Sequence, residues 1–225
     1  MEYPIRLNAY LRDIGVASRR EADQLIAGKK VKINGVIATL GTLVHEGDDV
    51  VIKAHASAPH RYMLYYKPRG LPTQGAFGVK SVISEWRPKG LFPVGRLDKE
   101  SEGLLILTND GRVTTKILGS ENRVEKEYEV VTNEKIRSGI PAILKKGMHS
   151  NTLGDLLPAH AVIKNDSTIR ITLREGKRHQ IRVMLAELGL TVKSLKRIRI
   201  GSLTIGGMRP GTARVLGALP DDLAL

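Results

Sequence analysis

Polar side chains crowd between two apolar stretches at Gly95-Arg96-Leu97-Asp98-Lys99-Glu100-Ser101-Glu102-Gly103, with Leu91 to Val94 before them and Leu104 to Leu107 after. A carboxylate on a loop with sheet on both sides is well mounted for acid, base or nucleophilic work, and Asp98 is the candidate. The same aspartate could instead organise the turn or cap a helix, as short acidic side chains often do. A second cluster, Glu175-Gly176-Lys177-Arg178-His179-Gln180-Ile181-Arg182, opens a predicted helix, and from Arg170 to Arg199 there are nine Lys or Arg against two Glu. That bias suits phosphate contacts, and an arginine can also clamp a carboxylate through paired hydrogen bonds. A solvated basic face would show the same bias. Position sets Arg182 apart: it follows His179 by three residues near the helix start, where it can turn inward while Lys177 and Arg178 face solvent.

Other chemistries drop out. There is no Cys, hence no thiol nucleophile, disulfide, zinc knuckle or iron–sulfur cluster. Neither a phosphate-binding loop nor a dinucleotide fingerprint occurs and the six His are scattered, so no nucleotide cofactor and no metal is expected. A nuclease or phosphoesterase would need metal-binding carboxylates or a His pair at defined spacing. The 36 Lys and Arg exceed the 23 Asp and Glu, for a net charge of +13. Such a surface concentrates polyanions and releases counterions from phosphates, which makes nucleic acid the expected partner. Met1-Glu2-Tyr3-Pro4-Ile5-Arg6 has the pattern of neither a secretory signal nor a transit peptide, and no apolar run approaches the ~18 residues of a membrane span. A cytoplasmic protein without membrane contact is expected, and a monomer, since no heptad pattern or long apolar stripe is present.

The elements that must position these residues fall into two domains, residues 1–56 and 57–225, with the aperiodic stretch Ala54 to His60 as linker. In the first, Leu7, Tyr10, Leu11 and Ile14 recur at helical spacing and Gly15 stops that helix. Ser18-Arg19-Arg20-Glu21 has the form of a capping box before a second helix through Ala22, Leu25 and Ile26. Asn34-Gly35 between Val31-Lys32-Ile33 and Val36-Ile37 predicts a hairpin, and Gly47-Asp48-Asp49 turns the chain into Val50-Val51-Ile52. In the second domain the pattern predicts strands at Tyr62 to Tyr66, Leu91 to Val94, Leu104 to Leu107, Tyr128 to Val131 and Thr168 to Leu173. Helices are predicted around Ser81 to Trp86, Val113 to Leu118 and His179 to Leu188. Strands and helices mix without strict alternation, so the expected class is α+β: a small helix-helix-strand domain followed by a mixed, largely antiparallel sheet.

Taken together these segments resemble the RsuA-like pseudouridine synthases that modify ribosomal RNA and carry an N-terminal RNA-binding domain of the ribosomal protein S-four type. The resemblance covers essentially the whole chain. Arg6-Leu7-Asn8, Ser18-Arg19-Arg20-Glu21-Ala22 and Val31 to Gly35 match the small RNA-binding domain. Tyr66-Lys67-Pro68-Arg69-Gly70 matches the family's Lys-Pro-x-Gly segment, and Gly95-Arg96-Leu97-Asp98 with Ser101-x-Gly103-Leu104-Leu105 its catalytic loop. Glu125-Lys126-Glu127-Tyr128 and His179-Gln180-Ile181-Arg182 complete the set. Two segments depart from the pattern: Val183 stands where many RsuA-like chains have a second Arg, as in the sister RluA-like group, and Leu71-Pro72-Thr73-Gln74 follows the Lys-Pro segment.

The resemblance implies a cofactor-free isomerase that converts uridine to pseudouridine in structured RNA. Ribosomal RNA, of the large subunit, is the preferred substrate and transfer RNA a second candidate. By resemblance Asp98 is the carboxylate that acts on the nucleotide, Tyr128 packs on the flipped base, and Arg96 fills the gap left in the RNA. A neighbouring guanidinium favours an ionised carboxylate and fixes its orientation, the role assigned to Arg182. Lys67 is expected at the pocket wall in reach of phosphate, with Arg19, Arg20, Lys177 and Arg178 as further RNA contacts. A binding protein or ribosome-assembly factor without turnover would share the charge and the small domain, but would not need Asp98 with Arg182.

Overall fold

The computed structural model describes residues 3–14, 16–17, 19–53, 59–76, 78–119 and 124–223. The chain divides into two compact units, one chiefly of Met1–His60 with Asp110–Thr115, the other of Arg61–Asn109 with Lys116–Ala224. Gly15, the Ser18 cap and residues 54–58 of the expected linker lie outside the described residues.

In the first unit β1 (Ile5–Arg6) leads into helix α1 (Leu7–Asp13), and α2 (Arg19–Ala27) follows. Leu7 and Leu11 pack against Ala22, Leu25 and Ile26 with Tyr10 partly buried beside them, whereas Ile14, read as the fourth member of that stripe, caps the helix and is 41% exposed. β2 (Val31–Ile33) and β3 (Val36–Ile37) form the expected hairpin. Its turn takes positive φ at both central residues, Asn34 at 49° and Gly35 at 82°, as a two-residue turn of this hand requires. β4 (Leu43–Val44) pairs with β1, and β5 (Val50–Ile52) with the free edge of β2. The Asn34 side chain joins the two turns, donating to the Asp48 carboxylate and accepting from the Asp49 N–H.

Along the rest of the chain follow β6 (Tyr62–Lys67), α3 (Val82–Trp86), β7 (Phe92–Val94), β8 (Glu102–Thr108), α4 (Arg112–Leu118), β9 (Lys126–Thr132), α5 (Ile140–Lys146), β10 (Met148–Ser150) and β11 (Gly154–Leu156). β12 (His160–Asn165), β13 (Thr168–Leu173), α6 (Gln180–Glu187), β14 (Val192–Ile200), β15 (Leu203–Thr204) and β16 (Ala213–Leu216) complete it. The main sheet runs β12-β13-β9-β14-β8-β6-β16, with β15 on β14 and β7 on β8. All of its pairings are antiparallel except β14 with β8, which makes this the expected α+β, largely antiparallel architecture.

Local chemistry explains the elements nearest the site. β9 buries Lys126, Tyr128, Val130 and Thr132 and turns Glu127, Glu129 and Val131 to the other face, the period of a strand covered on one side. The outward glutamates pair with arginines of neighbouring strands, Glu129 with Arg170 and Glu127 with Arg199. Ser81 caps α3 by accepting from the Ser84 N–H, and the Ser84 hydroxyl accepts in return from the Ser81 N–H. α6 lays Ile181, Met184 and Leu185 into the core beside Leu105, Val130 and Ile171. Each such side chain contributes roughly 1.5–3 kcal/mol on burial, enough to hold the helix and its N-terminal residues in place. Among the described residues no helix is long and apolar enough to cross a membrane.

Candidate active site

The loop from Gly95 to Ser101 joins β7 to β8, two antiparallel neighbours, so sheet supports it at both ends. Its midpoint is a turn in which the Ser101 N–H donates to the Asp98 carbonyl at 3.0 Å. The turn reading and the reactive-group reading of Asp98 are therefore compatible: its backbone builds the turn and its side chain, 36% exposed, is left to act. Gly70 ties the turn to the segment after β6 by donating its N–H to the Lys99 carbonyl at 2.8 Å.

A tighter clamp sits just before Asp98. The Thr73 hydroxyl, on a side chain only 3% exposed, donates to the Leu97 carbonyl at 2.6 Å and accepts from the Leu97 N–H at 3.0 Å. One side chain thus satisfies both backbone groups of the residue preceding Asp98, while the Leu97 side chain is buried in the core. Thr73→Val keeps the shape and leaves both groups unpaired, so it is expected to destabilise the fold by roughly 2–4 kcal/mol, and Thr73→Ser by under about 1 kcal/mol. Urea midpoints of the variants measure this, and a Val variant as stable as the native chain would show that the clamp contributes nothing.

α6 supplies the second half of the site. Arg182 Nη2 donates to the Glu100 carbonyl at 3.2 Å and reaches Ser101 Oγ at 3.5 Å, while Nη1 donates to the Val192 carbonyl at 3.3 Å. Arg182 therefore grips the turn that carries Asp98. Among the described residues the side chain within ion-pair distance of the Asp98 carboxylate is instead His179, whose Nδ1 lies 3.3 Å from Oδ2. The direct pairing of Arg182 with Asp98 expected from the sequence is not the arrangement here: the guanidinium is engaged by the Glu100 carbonyl and Ser101 hydroxyl of the turn and by the Val192 carbonyl of β14.

His179 precedes α6 in the left-handed conformation, φ 55° and ψ 19°. That costs a side chain other than Gly about 1 kcal/mol or more and persists only where neighbours enforce it. Gln180 does so: its Oε1 accepts from the Lys177 N–H at 3.0 Å and its Nε2 donates to Glu175 at 2.6 Å. Lys177, expected to meet phosphate, is exposed but folds onto the β10–β11 hairpin, donating from Nζ to the carbonyls of Leu153 and Asp155. Arg178 and Arg96 are exposed at the rim, and Arg19 and Arg20 are exposed at the start of α2 in the first unit.

Beneath the loop, one row of residues crosses the sheet. Lys67 on β6 faces Gly103 on β8, Gly103 faces Arg197 on β14, and Arg197 faces Tyr128 on β9. Lys67, Arg197 and Tyr128 are 0%, 4% and 9% exposed. Lys67 corrects an expectation: it cannot touch phosphate, because its Nζ is buried and donates to the carbonyls of Pro68 and Leu71. Burial pushes its ammonium down to about 8, against the pull of Asp98, Glu102 and Glu100. Arg197 donates from Nε to the Leu104 carbonyl at 2.7 Å. Lys126, on the same face as Tyr128, is also brought down to about 8 by burial and by the charge of Arg197. Lys67 lies close enough to Asp98 for the two charges to act on each other. Sequence reasoning missed Thr73, which lies in the segment that departs from the family pattern, and Arg197, which looked like one more residue of a basic run. It also passed over His179, visible only as part of a motif.

Comparison with known proteins identifies the family. The RNA pseudouridylate synthase family model matches residues 61–187 and the S4 domain model residues 5–50. The chain is 35% identical to an uncharacterized RNA pseudouridine synthase of Aquifex aeolicus, over 94% of this chain and 90% of that protein. It is 36% identical to the dual-specificity RNA pseudouridine synthase RluF of Escherichia coli, over 94% of this chain and 75% of that protein. Ribosomal large subunit pseudouridine synthase B of Bacillus subtilis is 34% identical, over 94% and 91%. A crystal structure of a pseudouridylate synthase superposes with a TM-score of 0.70 at 26% identity, covering 94% of this chain and 96% of that one.

Proposed function

The chain belongs to the RNA pseudouridine synthase family and carries an S4 domain, and from that membership we propose that it isomerises one uridine of large-subunit ribosomal RNA with Asp98 as the catalytic carboxylate. The observation that carries the assignment is the partly exposed Asp98 side chain on a loop held by Thr73, Gly70 and Arg182, close enough to the buried Lys67 for their charges to interact. The choice of RNA is supported by the Bacillus subtilis relative, whose name assigns it to the large ribosomal subunit and which matches along nearly all of both chains.

In this reading residues 1–56 grip structured RNA, with Arg19 and Arg20 on phosphate, and residues 57–225 carry the chemistry. A uridine inside a stem is inaccessible, so it is flipped out of the helix, Tyr128 packs on the base, and Arg96 fills the gap. The bond from ribose C1′ to N1 breaks, the base turns, and C1′ bonds to C5; the C5 proton leaves and N1 gains one. Atoms and electrons balance without a cofactor, and the ionised Asp98 carboxylate acts at the ribose, as nucleophile on C1′ or as the base that drives elimination. Both routes need the same negative oxygen.

The test is to incubate unmodified ribosomal RNA, ribosome-assembly intermediates and transfer RNA with the purified protein and map pseudouridine at nucleotide resolution. A single new site in large-subunit RNA is expected. Modification confined to another RNA would overturn the substrate assignment, and binding without any new pseudouridine in all three would favour an assembly factor.

A further inference from the structure

We propose that His179 is a positioning residue for Asp98: its imidazole Nδ1 holds and orients the carboxylate, and the left-handed backbone at the entry of α6 exists to aim it. This rests on the functional reading above. Packing does not explain the conformation, since the His179 side chain is 43% exposed and lies outside the core. Nor is it a loose end of the chain. The Gln180 side chain bonds both Lys177 and Glu175, and the His179 carbonyl accepts from the Val183 N–H at 3.0 Å as the first turn of the helix. A strained backbone enforced by its neighbours, with its side chain delivered to within 3.3 Å of Asp98 Oδ2, marks a site where geometry serves function.

The division of labour with Arg182 follows from the contacts. Arg182 spends its guanidinium on the Glu100 and Val192 carbonyls and the Ser101 hydroxyl, so it fixes where the turn lies. A turn fixed in space still leaves the Asp98 side chain free to rotate. His179 approaches the carboxylate itself, from a different element, and restrains that rotation. Orientation matters because a reacting oxygen misplaced by a fraction of an ångström loses much of its advantage in rate.

Two replacements separate the backbone from the imidazole. Gly and Asn both accept the left-handed conformation, so neither adds strain at φ 55°. Gly removes the contact, whereas Asn places a polar amide nitrogen close to where Nδ1 stood. Single-turnover rates at saturating RNA, RNA affinity and thermal melting are measured for native protein, His179→Gly and His179→Asn. His179→Gly is expected to slow pseudouridine formation roughly tenfold to a hundredfold, the rate lost when a reacting carboxylate is no longer held in its productive orientation, with RNA affinity and melting unchanged. His179→Asn is expected to recover most of the loss. A smaller loss in the Gly variant, a loss confined to RNA affinity, or an Asn variant as slow as the Gly variant overturns the assignment while leaving the function of the native enzyme intact. A native protein that makes no pseudouridine overturns the functional reading, and this assignment with it.

Discussion

Asp98→Asn is expected to lower the rate of pseudouridine formation by about a thousandfold or more while leaving RNA binding and stability close to native. The amide is nearly isosteric, and nothing that builds the loop uses the carboxylate. The turn closes on the Asp98 carbonyl, Gly70 holds the Lys99 carbonyl, and Thr73 holds Leu97. Even the contact to His179 can be kept through the amide oxygen. What disappears is the anionic oxygen that the proposed reaction uses to attack the ribose or take its proton, and a neutral amide does neither. Removing a negative charge from a surface proposed to meet RNA should, if anything, tighten RNA binding slightly. Single-turnover assays, filter binding and a thermal melt on one preparation separate these effects. An Asn variant within about tenfold of the native rate would remove Asp98 from the chemistry and return it to the role of turn former.

The part of the site that was legible in the sequence is the part built from local pattern. A polar loop between two apolar runs predicted an Asp98 mounted between strands, and β7 and β8 flank it as expected. Strand β13 was read at its full length, Thr168 to Leu173, because Ile169, Ile171 and Leu173 alternate with outward residues. Strand β14 was not read at all, although it lies between β9 and β8 near the middle of the sheet. Its sequence Val-Lys-Ser-Leu-Lys-Arg-Ile-Arg-Ile looks like a basic patch, and no local rule says that Arg197 turns inward to bond the Leu104 carbonyl. α5 is only seven residues long with Pro near its start, and β10 and β11 are three residues each, too short for periodicity to register. Lys67 failed for a related reason. Composition counts a lysine as a surface charge, and only the fold reveals that two carbonyls at the end of β6 hold its ammonium inside. Contacts such as Thr73 with Leu97, 24 residues apart, exist only once the sheet has formed.

Gly103 joins the legible and the hidden halves, and Gly103→Ala is expected to cost more stability than any other single methyl group added near the site. The sequence marks this glycine as part of the catalytic-loop motif, but the reason is structural. It adopts φ 111°, and a Cβ there would stand 2.3 Å from the Arg197 carbonyl oxygen and 2.7 Å from the Arg197 nitrogen. Both are backbone atoms of a strand paired on its two sides, so no side chain can swing away to relieve the clash. Relief requires β14 to separate from β8, whose parallel pairing spans only Lys196 with Glu102 and Arg197 with Gly103. That short seam joins β6, β7 and β16 to β9, β12 and β13, and it sets the row of Lys67, Arg197 and Tyr128 beneath Asp98. Overpacking together with an unfavourable φ should exceed about 4 kcal/mol, a large share of the roughly 5–15 kcal/mol that keeps a domain folded. The variant is expected to be recovered largely insoluble or to melt far below the native chain, with no measurable pseudouridine formation. Gly154→Ala is the matched control: φ is 70° there and nothing lies within 4 Å of the added carbon, so only the backbone cost of about 1 kcal/mol should appear. Denaturant midpoints compare the two. Equal losses would mean that φ alone governs both positions and that the close approach of Gly103 to Arg197 does not hold the two parts of the sheet together.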